Sequence, residues 1–226
     1  MNNLIAWVRR QADARPDGDG DALRAALAEH QRLIRDTHHQ VQNSLQIVAS
    51  MIALQAHDSD SPEVAQMHAV IQAQIQTLTL VQRRMHGESS KLVELPLLMS
   101  ELCTGLEASL ASAVHPRVEI ACSCAPGALL SPDLATPLGF LITELGILAA
   151  VNSPPGTLKV NVSGTAVANR IAVKVESAGF TQDAVAAIEG KSTARIILAM
   201  ARQLHGPLVH DAAAGSYCVE FAASPA

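Results

Sequence analysis

Aromatic side chains are almost missing from this chain: one Trp, one Tyr and three Phe in 226 residues, 2% of the total. Together with a formal charge of −5 and a pI near 6.0, that shortage excludes a nucleic-acid surface, which needs basic patches and stacking rings. There is no uninterrupted apolar run of the roughly 20 residues that span a bilayer. The opening MNNLIAWVRRQADARPDGDGD also lacks the signal-peptide order of charge, apolar core and cleavage site. The expectation is a cytoplasmic protein with no membrane partner. Cysteine is sparse as well, with four residues and no CxxC pair. Cys122 and Cys124 share one face of an expected strand, Cys103 and Cys218 are distant in sequence, and no His stands at zinc-ligand spacing. They read as buried free thiols in a reducing compartment, with no metal site. His57, His68, His86, His115, His205 and His210 form no ligand cluster and are assigned to surfaces and caps.

Apolar residues make up 49% of the chain, and 226 residues suffice for two small domains that each bury a core. Punctuation divides it. Residues 1–19 hold a short apolar piece with Trp7 and the turn-rich ARPDGDGD, an extension that ends near Asp21, a candidate N-cap. A long helix follows to about His57. The turn DSDSPE then supplies Ser61 as N-cap and Pro62 at the first helical position of a second helix, whose stripe is Val64, Met67, Ile71, Leu78 and Met85. Residues 20–90 therefore predict an antiparallel helical hairpin. Neither apolar stripe can be buried by the hairpin alone, so two copies are expected to pair as a homodimeric four-helix bundle.

The first helix carries the chemistry. Leu27, Ile34, Val41, Leu45, Val48 and Ile52 follow a four-three alternation, and His38 falls in register between Ile34 and Val41. His38 thus lies in or beside the seam. His39 is rotated by about 100° toward the rim, where a partner can reach its ring. An exposed imidazole is nucleophilic, titrates near neutral pH and can hold a phosphoryl group on a ring nitrogen. Asn43, four residues on, shares the face of His39 and can orient a phosphoryl oxygen or an attacking water. His39 is the expected phosphoacceptor, and His38 is its orienting neighbour or the alternative acceptor. Ordinary seam histidines would show the same spacing.

The segment HHQVQNSLQIVASMIALQ, residues 38–55, resembles the phosphoacceptor box of bacterial sensor histidine kinases whose dimerisation helix reads HHRVKNNLQ, a HisKA-2 family related to the HWE kinases. His38, His39, Val41, Asn43, Leu45 and Gln46 fit it. Gln40, Gln42 and Ser44 depart from its Arg, Lys and second Asn. A weaker likeness extends over residues 20–222.

From about residue 91 the pattern turns to mixed α and β. Helices are expected over Leu95 to Leu110, Pro132 to Val151, Gln182 to Ile188 and Thr193 to Leu204. Strands are expected over Arg117 to Ser123, Leu158 to Val162 and Arg170 to Glu176, around Leu208, and over Tyr217 to Phe221, with helices covering one face of the sheet. This order resembles the GHKL-type α/β sandwich that binds ATP in histidine kinases. The fold class implied is α+β: a helical hairpin forming a dimeric four-helix bundle, then a GHKL-like domain over residues 91–226.

Three places in that domain depart from the nucleotide contacts the resemblance implies. ITELGILAAVN, residues 142–152, looks like NELVTNALKHA and keeps Glu144 and Leu145, yet has Leu148 where an Asn would bind magnesium. An aliphatic side chain offers no oxygen to a hard cation. VKVESAGFTQD keeps Gly179 but has Ser177 at the adenine-reading Asp and Ala178 at the following Asn. GKSTARIILAMARQLHGPL keeps Arg202, Gln203, Leu204 and Gly206, with Thr193 and Ala194 at its glycine-rich start. Glu144, the family's general-base candidate, is then expected as a solvated helix carboxylate.

These departures predict a decayed ATP-binding domain, with no cofactor of its own and no metal. The resulting expectation is a dimeric histidine phosphotransferase that relays a phosphoryl group between response-regulator receiver domains. The receivers would bring their own magnesium, and an upstream histidine kinase would act indirectly. The alternatives are an ATP-dependent sensor-type histidine kinase and a non-catalytic adaptor that binds a receiver domain.

Overall fold

The computed structural model describes residues 29, 62–85, 92–113, 117–154 and 157–223. The elements below all fall within one compact unit, residues 44–226. The expected first helix, its seam and the dimer contacts fall outside the described residues. In chain order the elements are α1 (Pro62–Met85), β1 (Val93–Glu94), α2 (Leu95–Ala113), β2 (Val118–Cys124), β3 (Leu129–Leu130) and α3 (Pro132–Asn152). Then come β4 (Leu158–Val167), β5 (Arg170–Ser177), α4 (Gln182–Ile188), α5 (Ser192–Gln203), β6 (Leu208–Asp211) and β7 (Ser216–Ala222).

The main sheet has the order β2-β4-β5-β7-β6, with β2 parallel to β4 and every other pair antiparallel. Alternation sets its faces. Leu158, Val160 and Val162 on β4, Ile171, Val173 and Val175 on β5, and Tyr217, Val219 and Phe221 on β7 all turn inward and are buried. α2 and α3 pack on that face, as a sheet covered on one side predicts. Each large apolar side chain sealed there contributes about 1.5–3 kcal/mol.

Two details differ from the sequence expectation. The first strand of the hairpin is expected to end at Val162, yet the β4–β5 ladder runs on to Val167↔Arg170, and the chain reverses at Ala168, which takes a left-handed φ of 53°. The two-residue strands β1 and β3, which pair with each other, are too short to leave a periodic signal.

α3 is apolar nearly all round, and its buried residues run from Leu134 to Ala150. Such a helix belongs inside a core. It is also the one described helix long and apolar enough to cross a bilayer, although 83% of its most apolar window lies inside the fold. The sequence expectation of no such stretch is corrected here: α3 passes by length and composition and serves as the central core helix.

α1 packs against both α2 and α3. Its buried residues are Ala69, Ala73, Thr77 and Val81, not the predicted stripe, of which Met67 is 58% exposed. The small residues explain the contact. A Cβ added at Gly139 of α3 would sit 3.1 Å from both Thr77 Cγ2 and Val81 Cγ2, so glycine there lets the two helices close up. α1 thus spends a face of small residues on the α/β domain.

Candidate functional site

His38, His39 and Asn43 lie outside the described residues. The elements that resemble a nucleotide site are described, and the structure brings two of them together. The Ser177–Phe180 loop at the end of β5 lies on the last turn of α3. Ser177 Oγ accepts from the Gly179 N–H at 3.2 Å, and a Cβ at Gly179 would stand 2.5 Å from the Ala149 carbonyl oxygen and 2.9 Å from Ser153 Oγ. Only glycine fits so close an approach. Ser153 Oγ in turn donates to the Ala149 carbonyl at 2.7 Å.

Phe180 follows directly into the core, fully buried, with its ring edge-on to Tyr217 at 5.0 Å. His210 also stacks on Tyr217, centroids 4.6 Å apart, and its Nε2 lies 3.3 Å from the Phe180 carbonyl oxygen. Burial raises the Tyr217 pKa above its ordinary value. His210 is therefore a packed residue, not the surface or cap histidine expected. Because aromatics are so few, concentrating two of them beside His210 anchors the loop against α3.

Leu148 is 2% exposed and belongs to the hydrophobic core. It presents no ligand. Thr193 is half-buried in the first turn of α5, which packs on α3. Among the described residues no group of three or more His, Cys, Asp or Glu could hold a metal ion. The residues present do not fit magnesium-ATP in the manner the resemblance implies. The base-reading carboxylate is a hydroxyl engaged with its own loop, the metal-binding amide is a core leucine, and the loop is seated on the helix it would face.

Glu144 corrects the expectation of a solvated carboxylate. It is 2% exposed, and its Oε1 accepts a hydrogen bond from Gln74 Nε2 of α1 at 2.5 Å. Burial raises its pKa, and the bond from Gln74 opposes that rise. One residue earlier on α3 and three later on α1, the Thr143 and Thr77 hydroxyls meet at 2.6 Å. Gln74 carried no sequence signal: it is the polar residue that interrupts the apolar stripe of α1 between Ile71 and Leu78.

An open groove of about 430 Å³ runs between α1 and α2, with Gln76, Thr77, Leu80, Thr104 and Gly105 on its walls. Neither Leu148, Ser177 nor Thr193 lines it. Its rim carries an ion pair from Arg83 and Arg84 to Glu101.

Residues 36–110 match the model of the HisKA_2 family, described as histidine kinase. No curated relative matches the sequence. The fold is similar to the histidine kinase domain of the Erythrobacter litoralis EL346 blue-light activated histidine kinase, at 16% identity and a TM-score of 0.56, with 85% of this chain and 91% of that domain covered. Against a longer chain of the same light-activated kinase the values are 14% and 0.57, covering 83% of this chain and 59% of that one. This chain thus spans less than two thirds of that relative.

These findings overturn the receiver-to-receiver phosphotransferase expected from the sequence. That expectation rested on departures inside the α/β domain, whereas both the family match and the fold neighbours are histidine kinases. Residues 36–110, which contain His38, His39 and Asn43 and run on through α1 into α2, are the part of the chain that is similar to the HisKA_2 histidine kinase family.

Proposed function

We propose that this chain is the core of a sensor-type histidine kinase in a two-component system, ATP-dependent in its overall activity. His39 carries the phosphoryl group and a response-regulator receiver domain takes it. The observation that carries this reading is the continuous run of residues 36–110, in which a HisKA_2 segment leads directly into an α/β domain of histidine kinase fold. His39 suits the role because a neutral imidazole is a nucleophile at physiological pH. His38 orients it or stands in for it, and Asn43 orients a phosphoryl oxygen or a water. The working state is a cytoplasmic homodimer with two equivalent sites, and the receiver brings its own carboxylate and magnesium.

Nucleotide contacts of the usual kind are absent at Leu148 and Ser177. A hydrogen bond involving a charged group is worth about 1.5–3 kcal/mol, so each lost contact weakens nucleotide binding by roughly tenfold to a hundredfold. The test is incubation of the purified chain with γ-labelled ATP and magnesium, followed by mapping of acid-labile label. Slow labelling of His39 that needs millimolar ATP is expected. No label at any nucleotide concentration overturns the kinase reading.

A second reading is favoured by the seat of the Ser177–Phe180 loop on α3 and by Leu148 in the core. It is a pseudokinase that needs no cofactor of its own and binds a receiver or a second kinase as an adaptor. Under that reading calorimetry gives no heat with ATP, and His39→Ala leaves receiver binding intact.

A further inference from the structure

We propose that Cys103 and Cys122 form an oxidisable thiol pair, a modification site at which a hydroperoxide joins α2 to β2 through a disulfide. The observation behind it is a register between helix and strand. At one end, a Cβ added to Gly164 would stand 2.8 Å from Met99 Sδ and 2.9 Å from Cys124 Sγ, so the Met99 and Cys124 sulfurs share one spot. At the other, Glu107 Oε2 accepts from the Ile120 N–H at 3.0 Å. Cys103 lies four residues from both Met99 and Glu107, and Cys122 lies two residues from both Cys124 and Ile120. Four residues of helix advance about 6 Å and two of strand about 6.6 Å. The two elements therefore run in phase, in opposite directions, and Cys103 faces Cys122.

The thiols are in hydrogen-bond contact. Exposure divides their roles: Cys103 is buried and Cys122 is exposed on β2, which forms one edge of the main sheet. A peroxide reaches Cys122 first. The shared hydrogen bond favours thiolate at Cys122, lowering its pKa, while the same bond and then burial hold Cys103 protonated. An exposed thiolate beside a buried resolving thiol is the arrangement that forms disulfides cleanly.

The chemistry balances. The Cys122 thiolate attacks one peroxide oxygen, the O–O bond breaks, and the leaving oxygen departs as an alcohol, or as water when hydrogen peroxide is used. Cys122 is then a sulfenic acid. The Cys103 sulfur attacks the Cys122 sulfur, the S–S bond forms, the S–O bond breaks, and hydroxide leaves as water with the Cys103 proton. Two thiols are oxidised and one peroxide is reduced. Cys124 is the rival partner, but same-face neighbours on a strand stand about 6.8 Å apart, at the limit that a disulfide spans.

The test uses the whole reduced protein with stoichiometric hydrogen peroxide, then alkylation and tryptic mapping under non-reducing conditions. Cleavage at Arg117 separates Cys103, in residues 92–117, from Cys122 and Cys124, in residues 118–159. A crosslink between those two peptides through Cys122 is expected, with a higher melting temperature than the reduced protein. Cys103→Ala should lose the crosslink and accumulate a dimedone-trappable sulfenic acid at Cys122, and Cys124→Ser should keep the crosslink. A link within residues 118–159, or no disulfide under excess peroxide, overturns the proposal. The wild-type peptide map distinguishes these outcomes by itself should a variant fail to fold.

Discussion

Gln74 Nε2 donates to Glu144 Oε1 across 2.5 Å, and this bond fastens α1 to α3, the most buried helix of the α/β domain. A carboxylate in that position is costly unless it is hydrogen-bonded or protonated. Gln74 supplies one bond. The helix pair is further held by the Thr77–Thr143 hydroxyl contact at 2.6 Å and by the close approach at Gly139. Any motion that separates α1 from α3 must first break these contacts.

Glu144 sets a pH dependence. Its folded pKa is raised above the ordinary 4.5, with burial the leading cause, so between the unfolded and folded values the folded state holds more protons. Stability linked to Glu144 is therefore fully present below about pH 4.5 and falls as pH rises through the folded value. Melting temperatures of wild type and Glu144→Gln, measured from pH 4 to 7, should diverge as pH rises, with the variant more stable at neutral pH. Parallel curves would show that the carboxylate is no more burdened folded than unfolded.

Leu148→Asn restores the residue type that the family resemblance places there. Because Leu148 is buried in the core, the substitution should destabilise the fold by about 3 kcal/mol or more, through lost apolar burial and an unpaired amide. Urea unfolding measures that cost, and calorimetry should detect no magnesium-dependent gain in nucleotide affinity. A stable variant with tighter ATP binding would show that α3 turns this position toward a ligand.

Most of the α/β domain was legible because its helices and strands are periodic: the α4 range was expected as Gln182 to Ile188 and is found there. α1 was legible as a helix but not in its partners. Its inward face of Ala69, Ala73, Thr77 and Val81 is small and partly polar, so hydrophobic periodicity pointed to the stripe through Met67 instead. The burial of Glu144 was illegible for a related reason, since nothing local marks a carboxylate whose cover comes from Gln74, 70 residues earlier. Cys103 was distant from Cys122 in sequence, and only the shared register of α2 and β2 brings them together.

Gly179→Ala tests the seat of the Ser177–Phe180 loop. The added methyl would lie 2.5 Å from the Ala149 carbonyl oxygen, a backbone atom, so loop or helix must shift at a cost of about 1–3 kcal/mol. Ala178→Ser, at the exposed neighbour, should stay within about 0.5 kcal/mol of wild type. Equal stabilities for the two variants in chemical denaturation would mean that the loop has room to rise from α3.

The phosphoacceptor assignment is tested on the three helix residues as a set. His39→Ala should abolish acid-labile label from ATP while leaving fold and dimer unchanged, because a side chain at the helix rim, where the sequence register puts His39, costs under about 0.5 kcal/mol to remove. His38→Ala should retain label at a reduced rate, since a seam neighbour orients the acceptor without bonding to phosphorus. Asn43→Ala should change the lifetime of phosphohistidine or its transfer rate to a receiver, with dimer affinity preserved. Phosphate loss with and without a receiver, measured beside sedimentation of the same samples, separates the roles. Full labelling of His39→Ala with loss in His38→Ala would make His38 the acceptor, and an unchanged lifetime with a weakened dimer would leave Asn43 a packing residue of the seam.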